Sequence, residues 1–308
     1  MADNTYKYLQ TLIRMGSFSR AAHELSISQP SLSQFIQRLE SDAGVELVDR
    51  STKPLQLTYA GQCYLKTEGE ILRLREERDK LISDLADGTR GCIRVGASPY
   101  RAMFFLTSVL PEFRKRYSNV QVKLVEGRSH QLEVSAVQGD ADFSIVLLPL
   151  DLPELEYQEL YTERMLIALP RCSPLSDQVA ATTNEFEPMD FRLLDKHPFI
   201  VIKKSAKYLK FYNELCERAG VKPEVVLETE SQTAAIALAN AGFGATLVAE
   251  PVIRGSFGLR GARCYDISPT MYRRPVVVAY RREKYLSTAA KALISVMQEV
   301  AKADYIYR

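Results

Sequence analysis

The sequence of 308 residues has no tryptophan, three histidines, five cysteines and a formal net charge of only +2. Its cysteines, at 63, 92, 172, 216 and 264, form no CxxC pair, so we expect neither a zinc knuckle nor a disulfide framework. The scattered histidines lack metal-ligand spacing. The balance of charge gives no bulk attraction to nucleic acid or membrane.

Several other signals are missing. No apolar run approaches the roughly 18 residues of a spanning helix, and the first five residues do not begin a signal peptide. We therefore expect a cytoplasmic protein without a membrane partner. There is no GxGxxG, P-loop, HExxH or GxSxG motif. The sequence thus predicts no cofactor, no metal, no catalytic residue and no enzyme.

The first part of the chain is typical of a helix-turn-helix. Apolar residues at helical spacing end at Gly16, and a second, alanine-rich helix ends at the turn 26–28. Ser28 can cap the next helix, in which Pro30 occupies the first turn. Short strands are predicted at 45–50 and 55–58, as in a wing.

The sequence of these predicted helices and strands resembles that of a known family. The N-terminal domain of LysR-type transcriptional regulators is similar to the runs GSFSRAAHELSISQPSLSQFIQRLE, GVELVDR and LQLTYAG in order and spacing. The resemblance extends over essentially the whole chain. The family usually places arginine where this chain has Gln34, which changes the expected base preference, and phenylalanine where it has Val48.

We accordingly expect residues 1–58 to form a winged helix-turn-helix that binds an inverted repeat in double-stranded DNA. Its first 58 residues carry six basic and six acidic side chains, so a single copy should bind weakly. Gln34 and Gln37 are the candidates for reading adenine edges. The predicted DNA-binding residues are Ser28, Gln29, Pro30, Ser31, Ser33, Gln34, Gln37, Arg38, Arg50, Ser51 and Lys53. A helical hairpin used for protein contact is the alternative.

A long helix is predicted over 59–87, with an apolar stripe that favours pairing with a second copy. The alternative is a helix packed on its own domain. The family uses such a linker helix for dimerisation, and dimers or tetramers are expected. The predicted dimerisation residues are Ile71, Leu74, Leu81 and Leu85.

Beyond a hinge at 88–91, strands alternate with helices over 92–308. Strands are predicted at 92–97, 120–125, 143–148, 165–169, 199–202, 225–227, 245–249 and 275–280, and helices at 100–116, 130–138, 206–219, 232–241 and 285–302. The resemblance implies a two-lobed effector domain like a type 2 periplasmic binding protein. Lobe I would be about 92–163 and 271–308, and lobe II about 164–270. The fold class is α+β multidomain.

Four turns follow a strand end and precede a helix, where free amides and the helix dipole attract anions. In the family, positions matching Ser98, Ser129 and the 202–205 turn line the effector pocket. The predicted effector-binding residues are Ser98, Pro99, Tyr100, Arg101, Arg128, Ser129, Ile202, Lys203, Lys204, Ser231 and Thr233.

Together these features predict a transcriptional regulator controlled by a small, anionic effector, with a carboxylate expected. The resemblance leaves RNA polymerase open as a further partner. The alternatives are a cysteine-based redox sensor of the same fold and, more remotely, an enzyme or a small-molecule binding protein. Reactive cysteines need a lowered pKa, which a sequence does not reveal.

Overall fold

The computed structural model describes residues 4–87, 91–177, 186–203, 206–254, 262–267 and 273–304. The chain divides into two compact units, Met1–Ala86 and Asp87–Arg308. Helices dominate the first unit, whereas the second is built round a sheet of ten strands in the part of the chain that the structure describes. In the described segments, none of the helices is both long enough and apolar enough to cross a bilayer.

The first unit contains the predicted helix-turn-helix and wing. Its elements are α1 (Thr5–Met15), α2 (Phe18–Glu24), α3 (Gln29–Ala43), β1 (Val48–Asp49), β2 (Gln56–Leu57) and α4 (Tyr59–Asp87). Gly16 ends α1 with φ +60°, and Ser28 caps α3 by accepting from the Ser31 amide at 3.2 Å. The wing strands are shorter than the predicted 45–50 and 55–58, because only two residues of each strand pair.

The core of the first unit joins all these elements. It contains Leu9, Leu12, Ala21, Ala22, Leu32, Ile36 and Val48, with Tyr64 and Leu65 of α4 packed against it. At Gly61 a Cβ atom would stand 2.0 Å from the Leu47 carbonyl oxygen, so α4 begins in close contact with the chain entering the wing. The start of α4 is therefore part of this unit. Of the predicted hinge at 88–91, residues 88–90 lie outside the described residues, and Gly91 begins the next strand.

The second unit alternates strands and helices. Its strands are β3 (Gly91–Ala97), β4 (Val120–Glu126), β5 (Phe143–Leu147), β6 (Leu155–Pro170), β7 (Glu187–Pro188), β8 (Pro198–Ile202), β9 (Glu224–Thr229), β10 (Ala245–Ala249), β11 (Ala262–Asp266) and β12 (Arg273–Arg281). Its helices are α5 (Pro99–Arg101), α6 (Thr107–Arg116), α7 (Ser129–Gln138), α8 (Ala206–Ala219), α9 (Gln232–Asn240), α10 (Glu250–Arg254) and α11 (Thr288–Asp304).

The strand order is β4-β3-β5-β12-β6-β10-β8-β9, with β11 pairing to β6 and β7. The strands β3, β4 and β5 are parallel to one another, as are β8, β9 and β10, and the long strand β6 lies antiparallel to β12 and β10. Along β6 the partner changes from β12 at Arg164 to β10 at Met165. We call the β3–β5 and β12 part lobe I and the β7–β11 part lobe II. Strands β6 and β12 pair side by side where the two lobes meet.

Three predicted elements differ from those observed. The helix predicted at 100–116 is interrupted by a π-helical turn at Ala102–Leu106, the strand predicted at 165–169 begins at Leu155, and the helix predicted from 285 begins at Thr288. The strands β7 and β11 and the helix α10 were not predicted. The π turn follows Arg101 directly, and such turns are frequent at functional sites.

Candidate nucleic-acid interface and ligand cavity

The recognition face predicted on α3 is exposed. Leu32 and Ile36 are buried on the opposite side of the helix. Of the predicted residues on and before α3, Ser33 is half-buried and the others are exposed, namely Ser28, Gln29, Pro30, Ser31, Gln34, Gln37 and Arg38. Their side chains are amides, hydroxyls and one guanidinium, which are the groups that read base edges and hold phosphates.

Arg50 of the wing is held by a buried carboxylate that the sequence did not single out. Glu40, on α3, accepts at Oε2 from Arg50 Nη2 at 2.6 Å. Its Oε1 accepts from the amides of Leu47 and Val48 at 2.9 and 3.0 Å. This carboxylate therefore ties the wing strand to α3 and orients Arg50, whose side chain remains 43% exposed.

Ser51 is engaged within its own loop. Its hydroxyl donates to Asp49 Oδ1 at 2.5 Å, and its amide donates to the same atom at 2.9 Å. These two bonds lower the pKa of Asp49. A phosphate oxygen can only accept, so the Ser51 hydroxyl cannot serve both partners, which weakens its prediction as a DNA contact.

A groove beside the wing adds residues that the sequence reasoning missed. It is lined by Gly16, Ser17, Phe18, Ser19, Arg20, Arg50, Thr52, Lys53, Pro54 and Leu55. Three lining residues are cationic and none is acidic. The Leu55 amide donates to Gly16 O at 3.1 Å and so fixes the wing against the α1–α2 turn. Arg20 and Ser17 are thereby placed beside Lys53, although they are far from it in sequence.

On α4, the described part of the predicted apolar stripe is exposed. Ile71, Leu74 and Leu81 are 37%, 65% and 44% exposed, and the neighbouring Ile82 is 57% exposed. The side chain of Leu85 lies outside the described residues. Several large apolar side chains exposed along one helix are typical of an association surface.

In the second unit a small cavity lies where both lobes meet. It has a volume of about 40 Å³ and is lined by Ser98, Tyr100, Arg101, Arg128, Ser129, Leu147, Glu163, Tyr208, Gln232 and Arg274. Its walls come from α5, α7, β5 and the paired strands β6 and β12, together with α8 and α9 of lobe II. Most of these lining residues lie near a strand end or a helix start, whereas Glu163 lies within β6.

The cavity brings together five of the predicted effector residues, Ser98, Tyr100, Arg101, Arg128 and Ser129. The other described ones do not line it. Pro99 and Lys203 are exposed, and Ile202 is buried in β8. Lys203 Nζ pairs with Glu228 at 2.5 Å, and Ser231 caps α9 by accepting from the Ala234 amide at 3.2 Å while contacting Thr233. Lys204 lies outside the described residues.

Two arginines share one carboxylate in the cavity wall. Glu163 is fully buried and accepts from Arg101 Nη2 at 3.1 Å and from Arg274 Nη2 at 2.9 Å. Burial lowers the pKa of Arg101, but Glu163 together with Tyr161 and Tyr100 outweighs it, so the net shift is upward and the guanidinium stays charged. Arg274 also lies 5.2 Å from the centre of the Tyr208 ring. The sequence reasoning missed Glu163, Arg274, Leu147, Tyr208 and Gln232.

Several buried polar atoms of this cluster have no hydrogen-bond partner among the described residues. They are Arg101 Nε, Arg274 Nε and Nη1, Tyr100 Oη and Gln232 Oε1. Burial and the charge of Glu163 raise the pKa of Tyr100 well above its usual value, so its hydroxyl remains a neutral donor. Buried donors and acceptors are rarely left unpaired, so these atoms, of which Gln232 Oε1 is an acceptor, mark a place for a ligand or ordered water.

Two further ion pairs connect the lobes beside the cavity. Arg128 Nη2 lies 2.5 Å from Glu230 Oε2, and both side chains are exposed. Lys207 of α8 donates to the buried Glu133 at 2.8 Å and to the carbonyl oxygens of Leu147 and Pro149. Glu230 thus neutralises Arg128, which still lines the cavity, and the role of Arg128 in effector binding stays a prediction.

The alternative of a cysteine-based redox sensor finds little support in the geometry. The five cysteines are free, and burial raises the pKa of Cys264 and Cys216, opposite to the shift that a reactive thiol needs. Within the described ranges no cluster of three or more His, Cys, Asp or Glu side chains could hold a metal ion.

Comparison with known proteins agrees with this architecture. Residues 86–302 match the family model of the LysR substrate binding domain, and residues 4–62 match that of the bacterial regulatory helix-turn-helix protein, lysR family. The chain is 27% identical to the uncharacterized HTH-type transcriptional regulator YcgK of Bacillus subtilis (strain 168), over 97% of this chain and 94% of that protein. It is 29% identical to the HTH-type transcriptional regulator BudR of Raoultella terrigena, over 93% of this chain and 97% of that protein.

Among solved structures, CbnR, a LysR family transcriptional regulator, has a TM-score of 0.67 at 21% identity, over 96% of this chain and 99% of that chain. CbnR is also known in complex with its target DNA. At this identity the likeness concerns the fold. The family models together span both units, and they describe regulators rather than enzymes. The chain therefore belongs to the LysR family of DNA-binding transcriptional regulators.

Proposed function

We propose that this regulator binds an inverted repeat as a dimer or tetramer, and that a small anion in the cavity of the second unit controls its output. The observation that carries the proposal is the buried cluster of Arg101, Glu163 and Arg274, whose guanidinium groups retain unpaired N–H donors. Such donors favour a carboxylate or another oxyanion, since hydrogen bonds to charged groups are the strong ones.

In the first unit, the exposure of α3 supports entry of residues 29–38 into the major groove. Gln34 and Gln37 would read adenine edges, while Arg38 and Lys53 would hold phosphates. Arg50 would bind a phosphate while Glu40 orients it. Since the DNA-binding domain is neutral in net charge, useful affinity requires at least two copies on one site.

The exposed stripe on α4 supports pairing of copies through this helix. Replacing Leu74 and Leu81 with glutamate would place charge in the seam, at a cost of several kcal/mol. Ultracentrifugation should then show monomers, whereas Gln62→Glu, which adds charge at another exposed position of α4, should leave the assembly intact. A double variant that still assembles through α4 contradicts this part of the proposal.

Effector binding would act by a population shift. A ligand that binds more tightly to one arrangement of the lobes favours it, and the predicted hinge at 88–91 would transmit the change to the paired DNA-binding units. A bias of about 1–3 kcal/mol is enough to alter promoter output. Such a regulator acts in the cytoplasm with the DNA, and contact with RNA polymerase remains a prediction for an activating form.

The test is a thermal-shift screen of small carboxylates, followed by calorimetry with the best ligand, since an effector stabilises the folded state by mass action. Ser98→Ala should weaken binding and abolish the effector response, while DNA binding without effector survives. The matched control is Ser108→Ala, at an exposed position on α6. Equal affinity in wild type and Ser98→Ala would place the effector elsewhere.

A further inference from the structure

The charges that line the cavity do not cancel. Three lining residues are cations, Arg101, Arg128 and Arg274, and Glu163 is the one carboxylate among the lining residues. Glu230 neutralises Arg128 from outside the cavity. The neighbouring Lys207 pairs with both Glu133 and Asp151, but these three residues do not line the cavity. Among the lining residues, with Arg128 neutralised, one positive charge is therefore left over, shared by the two guanidinium groups that hold Glu163.

This remaining charge lies out of water. The side chains of Arg101 and Arg274 are 6% and 13% exposed, and Glu163 is not exposed at all. Isolated charge in such a place is unfavourable unless a counter-charge accompanies it. The unpaired atoms Arg274 Nε and Nη1 and Arg101 Nε are the positions at which one anion would be received.

We propose, on the basis of the proposed function above, that the effector is a monoanion, and that Glu163 sets this charge preference by neutralising one of the two arginines. One negative charge on the ligand completes the balance. A dianion would leave one negative charge buried without a partner and next to Glu163. Arg274 and Arg101 are then the anion-binding groups, and Glu163 is the residue that determines specificity for charge.

The cluster of Arg101, Glu163 and Arg274 lies next to the connection between the two lobes. Glu163 of β6 and Arg274 of β12 are direct cross-strand partners in the register of the two strands. One residue further along β6 is Arg164, the last residue before the strand changes its partner to β10. An anion on Arg274 therefore binds beside the point where lobe I meets lobe II.

The test compares two probes of equal carbon number and different charge. The probes are propionate and malonate, small three-carbon acids, because the cavity volume of about 40 Å³ excludes large ligands in this conformation. Binding is measured by calorimetry on the full chain, above the second pKa of malonate, at constant ionic strength and low chloride. We expect wild type to bind propionate at least about tenfold more tightly than malonate.

Glu163→Gln keeps the shape of the side chain and removes its charge, which leaves two positive charges for the ligand. The ratio of malonate to propionate affinity should rise by about tenfold or more. Glu299→Gln is the matched control, because Glu299 forms an exposed pair with Arg116 on the outer side of this unit. It should leave the ratio unchanged.

Arg274→Gln separates this inference from the proposed function, and it leaves the neutral Arg101–Glu163 pair in place. It should bind both acids at least about tenfold more weakly, while Arg116→Gln binds as wild type does. If no acid binds wild type, or if Arg274→Gln binds as wild type does, the proposed site is wrong. If binding depends on Arg274 but malonate equals propionate, or Glu163→Gln leaves the ratio unchanged, the monoanion inference alone is wrong.

Discussion

Each unit of the protein buries a carboxylate that binds arginine, but the two sites differ in how completely their hydrogen bonds are made. Glu40 in the first unit accepts from two backbone amides and from Arg50, which itself reaches solvent. Glu163 in the second unit accepts from two buried arginines and leaves several of their N–H groups unpaired. The first arrangement holds the fold together, whereas the second leaves donors available to a ligand or ordered water.

The largest loss of stability is expected for substitution of Glu40, whose hydrogen bonds are complete. Glu40→Ala leaves the amides of Leu47 and Val48 without their acceptor and frees the wing from α3. Each buried donor left unpaired costs about 1–3 kcal/mol, and here two amides are left. Hydrogen exchange of these two amides should accelerate strongly, and DNA affinity should fall. Added small anions should not restore either property, and restoration by an anion would contradict the structural role of Glu40.

Glu163→Ala should cost less, about 2 kcal/mol in the presence of small anions, because an anion can occupy the space beside the two arginines. The thermal midpoint of this variant should rise steeply with added formate, while that of Glu40→Ala should not. The comparison fails if formate stabilises both variants equally or neither of them.

The units should also differ in degree at high pH, because the pKa of Tyr64 in the first unit is raised but that of Tyr100 in the second is raised well above its usual value. Burial and the nearby charge of Glu163 raise the pKa of Tyr100 in the folded state. A raised folded pKa means that the stabilisation is present below the unfolded pKa of about 10 and is lost as the pH rises toward the folded value. The free energy of unfolding of the second unit should therefore fall above this pH, by up to about 1.4 kcal/mol per pH unit for each such tyrosine.

Urea unfolding followed with probes in the second unit measures this slope in wild type and in Tyr100→Phe. The variant should have the shallower slope. Burial raises the pKa of Tyr208 as well, so Tyr100→Phe should retain part of the slope. An unchanged slope in Tyr100→Phe would show that Tyr100 ionises as readily in the folded protein as in the unfolded one.

The difference between the units also explains what the sequence could predict. The helix α3 and its exposed face depend on local signals, the cap at Ser28 and an apolar stripe at helical spacing, and they were found correctly. The positions of Ser98, Arg101 and Arg128 in the cavity lining follow a pattern visible in the sequence, because strand ends are followed by helix starts there. Glu163 and Arg274 are 111 residues apart, and no local pattern brings them together.

The first part of β6, residues 155–164, could not be predicted from the sequence for the same reason. The segment 155–164 alternates irregularly between buried and exposed residues and contains several charges, so it lacks the clean period of a half-buried strand. Its pairing with β12 makes it a strand, and that pairing is remote in sequence. Arg20 was missed for the same reason, because only the folded wing places it beside Lys53.

The smallest changes in affinity are expected at the surface of the first unit. An exposed side chain there can contact DNA only if its hydrogen-bond donors are free. Arg38 and Ser51 are both exposed, but the Ser51 hydroxyl is bound to Asp49. Arg38→Ala should lower the dependence of log affinity on log salt by about one unit and weaken binding to all sequences alike. Ser51→Ala should leave that slope unchanged and alter affinity by less than about 0.5 kcal/mol. Fluorescence anisotropy with one operator over a range of salt compares them, and a loss of affinity well above about 0.5 kcal/mol in Ser51→Ala would mean that Ser51 leaves Asp49 to bind DNA.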